Sequence, residues 1–233
     1  DIAMALNNLA IVLHDQRDYS RAEATYRQAL AMQRELVGNV HPVVANSLSN
    51  LAFIQYDRGD PVAAVATMRE SLGIYRQVFT GDNPEIARVL NTMGYWLIDQ
   101  QDFAEADELL AQALDMRRRL LGDRHPDVGG TMSHVAMLRV ATRHLEEAAE
   151  LAKAATGILS TGLSATHWRT AVAQNVNGAA LAGLGQFQDA AILLLRSNDL
   201  LEKDPGALPD YRLRSLRYLA RLYMQWNKPI EAT

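Results

Sequence analysis

The stretch ARVLNTMGYWLIDQQDFAEADELLAQALDMRRRLLGDRHPDV, residues 87–128, decides the fold. It contains two runs with apolar residues at helical spacing, Val89–Gln100 and Phe103–Leu121, separated by a short polar turn. A Gly-Asp-Arg-His-Pro connector follows the second run. Apolar residues at i, i+3, i+4 and i+7 form one face of an α-helix. The stretch therefore predicts a helical hairpin that leads directly into another helix.

The same pattern recurs every 42 residues along the chain. One set of equivalent positions holds Ala22, Ala64, Ala106, Ala148, Ala190 and Ala232. A second set holds Ala10, Ala52, Gly94, Ala136, Gly178 and Ala220. A fixed period of this length indicates a repeat array whose helix pairs stack on their neighbours. We predict one all-α solenoid domain over 1–233, with repeats at 1–40, 41–82, 83–124, 125–166, 167–208 and a partial repeat at 209–233.

Helix starts and stops support this division. Gln16-Arg17-Asp18 interrupts the first helical run, and Gly38-Asn39 follows the second. His41-Pro42 then opens the next helix, where proline is tolerated because the first N–H groups have no partner within the helix. Because His41, Asn83 and His125 share one repeat position before proline, they indicate helix capping rather than metal binding.

The fourth and fifth repeats are less regular. Gly129-Gly130 weakens the first turn of a helix, and Arg139 occupies a position that holds leucine in earlier repeats. A slide of one residue over Val172–Gly183 would turn Val172 and Val176 inward. We expect this segment to be the least regular part of the stack.

Composition limits the chemistry that the chain can perform. The chain has no cysteine and a formal charge of −4, which argues against disulfides, thiolate metal sites and nucleic-acid binding. Arg117-Arg118-Arg119 wraps around a helix and does not form a basic stripe. No apolar run is long enough to span a bilayer, and no secretory signal is visible. We expect a cytoplasmic protein without cofactor, metal or catalytic activity, and a segment of a longer polypeptide.

Several short motifs resemble the tetratricopeptide repeat in the form found in kinesin light chains and in many bacterial multidomain proteins. They are Leu6-Asn7-Asn8-Leu9-Ala10, Asp18-Tyr19-Ser20-Arg21-Ala22-Glu23, Ala29-Leu30 and the run Leu-Leu-Gly-Asp-Arg-His-Pro-Asp-Val at 120–128. The resemblance implies a right-handed superhelix of antiparallel helix pairs, with the first helix of each pair lining a concave groove. It implies peptide or protein binding there, and no catalysis.

The resemblance also suggests which residues face that groove. In kinesin light chains an Asn-Asn pair, matched here by Asn7-Asn8, holds a peptide backbone, and an amide side chain can both donate and accept. The expected groove residues are Asn7, Asn8, Ser49, Asn50, Phe53, Arg88, Asn91, Tyr95, His134, Arg214, Arg217 and Arg221. One polar set at 42-residue spacing holds Asn7, Ser49, Asn91, Ser133, Asn175 and Arg217. The alternative is that these are ordinary solvated positions.

Two further groups were assigned to the same surface. Phe53 and Tyr95 are expected to be exposed anchors for apolar partner residues, whereas Ile11 and Met137 are expected to pack against the adjacent helix. Arg214, Arg217 and Arg221 share one helix face and would hold a carboxylate or phosphate, or simply form a solvated face.

The sequence therefore predicts an interaction scaffold that binds a peptide or a partner protein in its groove. Two alternatives remain open. One is a regulatory region of a larger bacterial signalling protein, such as a Ser/Thr kinase, because the segment from Tyr218 to Pro229 resembles repeats that follow such kinases. The other is a module for self-association.

Overall fold

The computed structural model describes residues 2–226, which form eleven α-helices. Their bounds are α1 Ile2–Asp15, α2 Tyr19–Val37, α3 Pro42–Asp57, α4 Pro61–Val78, α5 Pro84–Asp99, α6 Phe103–Leu121, α7 Pro126–Ala141, α8 Leu145–Gly162, α9 Trp168–Gly183, α10 Phe187–Lys203 and α11 Pro209–Trp226. No strand occurs in this part of the chain. The predicted all-α architecture of helix pairs is confirmed.

The chain divides into two compact units, Asp1–Met116 and Arg117–Thr233. In unit 1 the pairs α1–α2 and α3–α4 pack as hairpins, and α2 and α4 also contact the first helix of the next pair. In unit 2 the pairs α7–α8 and α9–α10 do the same, and α9 also contacts α7 and α11. Ala232 of the repeat pattern and the end of the predicted partial repeat lie outside the described residues. A single solenoid domain over 1–233 stays a prediction.

The repeat positions predicted to cap first helices do so. Nδ1 of His41 accepts from the Val43 N–H, Oδ1 of Asn83 from the Glu85 N–H, and Nδ1 of His125 from the Asp127 N–H. His167, at the next position of this set, accepts from the Arg169 N–H at 3.1 Å. Sequence reasoning missed His167 because no proline follows it. In all four places the side chain satisfies an N–H that has no partner within its helix.

The second helices show where the array loses regularity. Asp18, Asp60 and Asp102 accept from the N–H three residues later, at the start of α2, α4 and α6. The equivalent residues at α8 and α10, His144 and Gln186, make no such hydrogen bond. The weaker signals in repeats four and five therefore correspond to missing caps.

The turn inside each pair depends on one left-handed residue. Arg17, Gly59, Gln101, Arg143 and Gly185 are 42 residues apart and all have positive φ, from 62° to 92°. This conformation lets the chain reverse within three residues. It favours glycine, yet three of the five residues carry a side chain.

Small residues at the pair contacts define the core. A Cβ on Gly94 would lie 2.7 Å from Cγ of Leu110, and one on Gly178 would lie 2.8 Å from Cγ of Leu194. Because the two contacts match, α9 keeps the register of α5, and the predicted one-residue slide was wrong. Val172 and Val176 are nevertheless buried, since α9 has neighbours on several sides.

Candidate peptide-binding site

The first helices of unit 1 are joined by polar contacts between equivalent repeats. Nδ2 of Asn7 on α1 donates to Oγ of Ser47 on α3 at 3.2 Å. Nε2 of His14 on α1 lies 2.6 Å from Oδ2 of Asp57 on α3. These contacts place α1 and α3 side by side, so their outward residues share one surface. Asn7 is half-buried on that surface, and Asn8 is exposed.

The set of small polar residues at 42-residue spacing does not face outward as predicted. Ser49, Asn91, Ser133 and Asn175 are all buried, with exposed fractions of 0–8%. The Ser49 hydroxyl lies 2.9 Å from that of Ser71 on α4, and Nδ2 of Asn175 donates to Ser197 on α10 at 2.9 Å. The assignment of Ser49 and Asn91 to the groove was therefore wrong. A helix contact leaves room for a small polar side chain when the facing helix satisfies it.

Asn50 is half-buried, and its amide is partly committed to the fold. Burial raises the pKa of Tyr26 on α2, and a hydrogen bond from Asn50 opposes that rise. The Asn50 side chain therefore reaches back to its own helix pair. Its remaining amide hydrogen-bonding capacity is what a bound segment would use.

An aromatic cluster lies between α3 and α5. The ring of Phe53 meets Trp96 edge to face at 5.2 Å, and Tyr56 stacks on Trp96 at 4.6 Å. The Tyr56 hydroxyl donates to Oδ2 of Asp99 at 3.0 Å. Trp96 is buried, whereas Phe53 and Tyr56 are half-buried. Phe53 and Tyr56 therefore offer apolar surface that Trp96 supports from beneath.

Three predictions about apolar side chains can be scored from burial. Tyr95 is 4% exposed, so the expectation of an exposed anchor was wrong. Ile11 was expected to be packed but is 45% exposed, whereas Met137 is buried as expected. Trp96 was missed because its repeat equivalents Ile54 and Leu138 are aliphatic core residues.

Arg88 makes its contacts within unit 1. Its Nε donates to Oε2 of Glu85 at 2.8 Å. Burial raises the pKa of Tyr75 and the Glu85 charge adds to the rise, while the charge and hydrogen bond of Arg88 oppose it. Arg88 thus links α5 to α4, and its assigned groove role stays a prediction.

Comparisons with known proteins agree with this geometry. Models of the tetratricopeptide repeat match residues 1–77 and 86–127, together just over half of the chain. The chain belongs to the tetratricopeptide repeat family. The comparison with curated proteins gives no match.

Two solved structures show the same repeat fold. One contains nearly identical TPR-like repeats attributed to a kinesin light chain of Podosopora anserina, with 22% identity, a TM-score of 0.71 and coverage of 86% of this chain and 94% of that one. The other is BtubC (BKLC) from P. vanneervenii, with 19% identity, a TM-score of 0.72 and coverage of 88% and 81%. At these identities the likeness shows the fold alone. The predicted kinesin-light-chain-like repeats are confirmed.

In unit 2 of this tetratricopeptide repeat protein, the predicted arginine row separates. Arg217 and Arg221 are exposed, and Arg221 borders a cleft of about 250 Å³ beside Tyr218. Arg214 is instead half-buried, and its charge acts on His134. The structure therefore separates Arg214 from the other two, and the three were wrongly expected to act together.

His134 lies within a cluster of conjugated and basic side chains. Its Nε2 is 2.9 Å from the Tyr211 hydroxyl, and the two rings stack at 6.3 Å. Burial lowers the pKa of His134 to about 3, and the charges of Arg117, Arg169 and Arg214 add to this effect. At neutral pH the imidazole is therefore uncharged within a positively charged surrounding.

Two searches returned nothing within residues 2–226. None of the eleven helices combines the length and hydropathy needed to cross a membrane. No group of three or more His, Asp or Glu side chains in this part of the chain is arranged to hold a metal ion.

Proposed function

We propose that this chain is a protein-interaction module that binds a segment of a partner protein along the first helices of unit 1. The observation that carries the proposal is the half-buried pair Phe53 and Tyr56, held by the buried Trp96 and next to the repeat that carries Asn7 and Asn8. Supported aromatic side chains anchor apolar partner residues with little loss of conformational entropy.

The amides of Asn8 and Asn50 supply the polar part of this surface. They occupy equivalent repeat positions on α1 and α3, 42 residues apart. An extended segment presents N–H and C=O groups along its length, and amide side chains can pair with both. The surface thus combines apolar anchoring with recognition of backbone that does not depend on sequence.

A selection from a random peptide library tests the proposal. The purified chain is used as bait, and selected peptides are measured by fluorescence anisotropy. We expect the triple variant Asn8→Ala/Asn50→Ala/Phe53→Ala to weaken binding at least tenfold, since each of several interface side chains contributes about 1 kcal/mol.

The matched control is Gln28→Ala/Val62→Ala, which changes exposed residues of the second helices α2 and α4. Its affinity should equal that of the wild type. Equal losses in both variants, or peptides that bind the triple variant normally, would contradict the proposal. Regulation of an attached domain, self-association and a cytoplasmic location stay predictions.

A further inference from the structure

Unit 2 holds a second polar surface that the peptide-binding proposal does not use. It contains Arg117 at the end of α6, His134 on α7, Arg169 on α9, and Tyr211 and Arg214 on α11. We call these five residues the basic pocket. They come from four helices that are far apart in sequence, so the pocket exists only in the folded unit.

Two of its arginines converge on the first turn of α7. Nη1 of Arg117 donates to the Asp127 carbonyl at 3.0 Å and to Oγ1 of Thr131 at 2.8 Å. Nη2 of Arg169 donates to the Pro126 carbonyl at 3.1 Å and to Oδ1 of Asp127 at 2.9 Å. These bonds fix both guanidinium groups, which reduces the entropy lost when they bind a ligand.

Gly130 allows Arg169 to take this position. A Cβ at Gly130 would lie 2.5 Å from Nη2 of Arg169, so the guanidinium crosses α7 at a place where a side chain is missing. The glycine that weakens the helix therefore opens space for a cation. This gives Gly129-Gly130 a role that the repeat pattern left unexplained.

The charges of the pocket do not balance. Burial would raise the pKa of Asp127, but the hydrogen bond and charge of Arg169 and the charges of Arg117 and His125 lower it overall. The Asp127 carboxylate thus faces two guanidinium groups, and Arg214 adds a third cation near His134. The Arg169 side chain keeps 24% of its surface exposed, so an ion from solvent can reach it.

We propose that the basic pocket binds an oxyanion, a carboxylate or a phosphate, carried by the bound partner segment. The anion lies between the guanidinium groups of Arg169 and Arg214 and interacts with the neutral His134 and the Tyr211 hydroxyl. Guanidinium groups match the geometry of both anions through paired N–H donors. The identity of the carrier rests on the proposed function, whereas affinity for the anion does not.

The test is a titration of the full chain followed by NMR of the His134 ring. Sodium phosphate, sodium acetate and sodium chloride are added at equal ionic strength and constant pH. We expect phosphate or acetate to shift the Cε1–H signal saturably, and chloride to cause only a small linear drift. A stronger response to phosphate identifies a phosphorylated segment as the carrier, and a stronger response to acetate identifies an acidic segment.

Variants connect the response to the pocket. Arg169→Gln and Arg214→Gln should each weaken the saturable response at least fivefold, whereas Arg196→Gln, at an exposed position of α10, should leave it unchanged. Circular dichroism checks that each variant is folded, and the wild-type titration alone decides the matter if one is not. Identical drifts for all three salts, or equal effects of Arg196→Gln, would overturn the proposal. Failure of the peptide selection would leave this titration unaffected.

Discussion

Two residues of the same chemical type can have different roles at equivalent repeat positions. Asn8 is exposed on α1, whereas Asn175 is buried on α9 and donates to Ser197 on α10 and Ser215 on α11. Removing a buried hydrogen-bonding partner costs about 1–3 kcal/mol, so residues such as Asn175 are kept for packing rather than for binding. Burial and partners separate these roles, and residue identity does not.

His134 makes the stability of the chain depend on pH. Its pKa is about 3 in the folded chain, against an ordinary value of 6.5. Above pH 6.5 the ring is neutral in both states. Below pH 6.5 only the unfolded chain takes up a proton, so the contribution of the neutral ring to stability is lost as pH falls toward 3. The loss is up to about 1.4 kcal/mol per pH unit.

Urea unfolding at pH 7.5 and pH 5 checks this prediction. The wild type should lose up to about 2 kcal/mol more than His134→Gln between these values, because glutamine does not titrate. The comparison with the variant removes the contribution of the other titratable groups. Parallel losses in the two proteins would contradict the prediction.

Left-handed residues limit the stability of the turns. Gln101 has a φ of 62°, whereas the equivalent Gly59 has a φ of 92°. Since this conformation costs a residue with a Cβ about 1 kcal/mol, Gln101→Gly should stabilise the chain by about 0.5 kcal/mol after the entropy of glycine is counted. Gly59→Gln should destabilise it by about 1 kcal/mol. Urea midpoints measure both, and a destabilised Gln101→Gly would contradict the argument.

At the scale of the helix, the two members of each pair are matched in volume. The first helix contributes Ala10, Ala52, Gly94, Ala136 and Gly178, and the second contributes Tyr26, Met68, Leu110, Ala152 and Leu194 at the positions sixteen residues later. All the alanines and second-helix residues in these sets are buried. Glycine occurs where the facing residue is leucine, because branching at Cγ fills the space that a Cβ would need.

Gly94→Ala should therefore destabilise the chain. The contact of 2.7 Å between the new Cβ and Cγ of Leu110 forces a shift that costs about 1–3 kcal/mol, which the better helix propensity of alanine offsets by about 1 kcal/mol. Adding Leu110→Met should restore stability, since it reproduces the pair Ala52 and Met68. Thermal unfolding of the single and double variants measures this coupling.

Gly73→Ala is the matched control for this experiment. Gly73 lies within α4, and a Cβ there would meet nothing within 4 Å. The substitution should stabilise the chain by about 0.5–1 kcal/mol through helix propensity alone. If Gly94→Ala were equally stabilising, the close contact at Leu110 would not limit the pair.

At the scale of the whole molecule, stability should be local, because helix pairs contact their neighbours. Leu194 is wholly buried in a cluster with Ala179, Ala190, Tyr218 and Leu222. Leu194→Ala should remove about 2–5 kcal/mol from this region. Hydrogen exchange should then accelerate in α9, α10 and α11 and stay unchanged in α1 to α4. Equal acceleration everywhere would show that the chain unfolds as one cooperative unit.

The sequence by itself determined the helices, their pairing and their capping. The 42-residue spacing of small residues and the polar residue before proline are local signals, because turn geometry and helix ends depend on neighbours in sequence. They predicted the hairpin contacts and the capping by His41, Asn83 and His125, which the structure confirms. The same spacing gave the correct register of α9 at Gly178, although the apolar pattern there favoured a slide.

Only the tertiary structure decided which side chains reach solvent. Ser49 and Asn8 are both small and polar, but the facing Ser71 buries the first, and the second stays exposed. Arg117, Arg169 and Arg214 are distant in sequence, and their convergence on His134 depends on how four helices pack. Periodicity fixes the face of a helix on which a residue lies, but the residues of the neighbouring helix determine whether that face is covered, hydrogen-bonded or open.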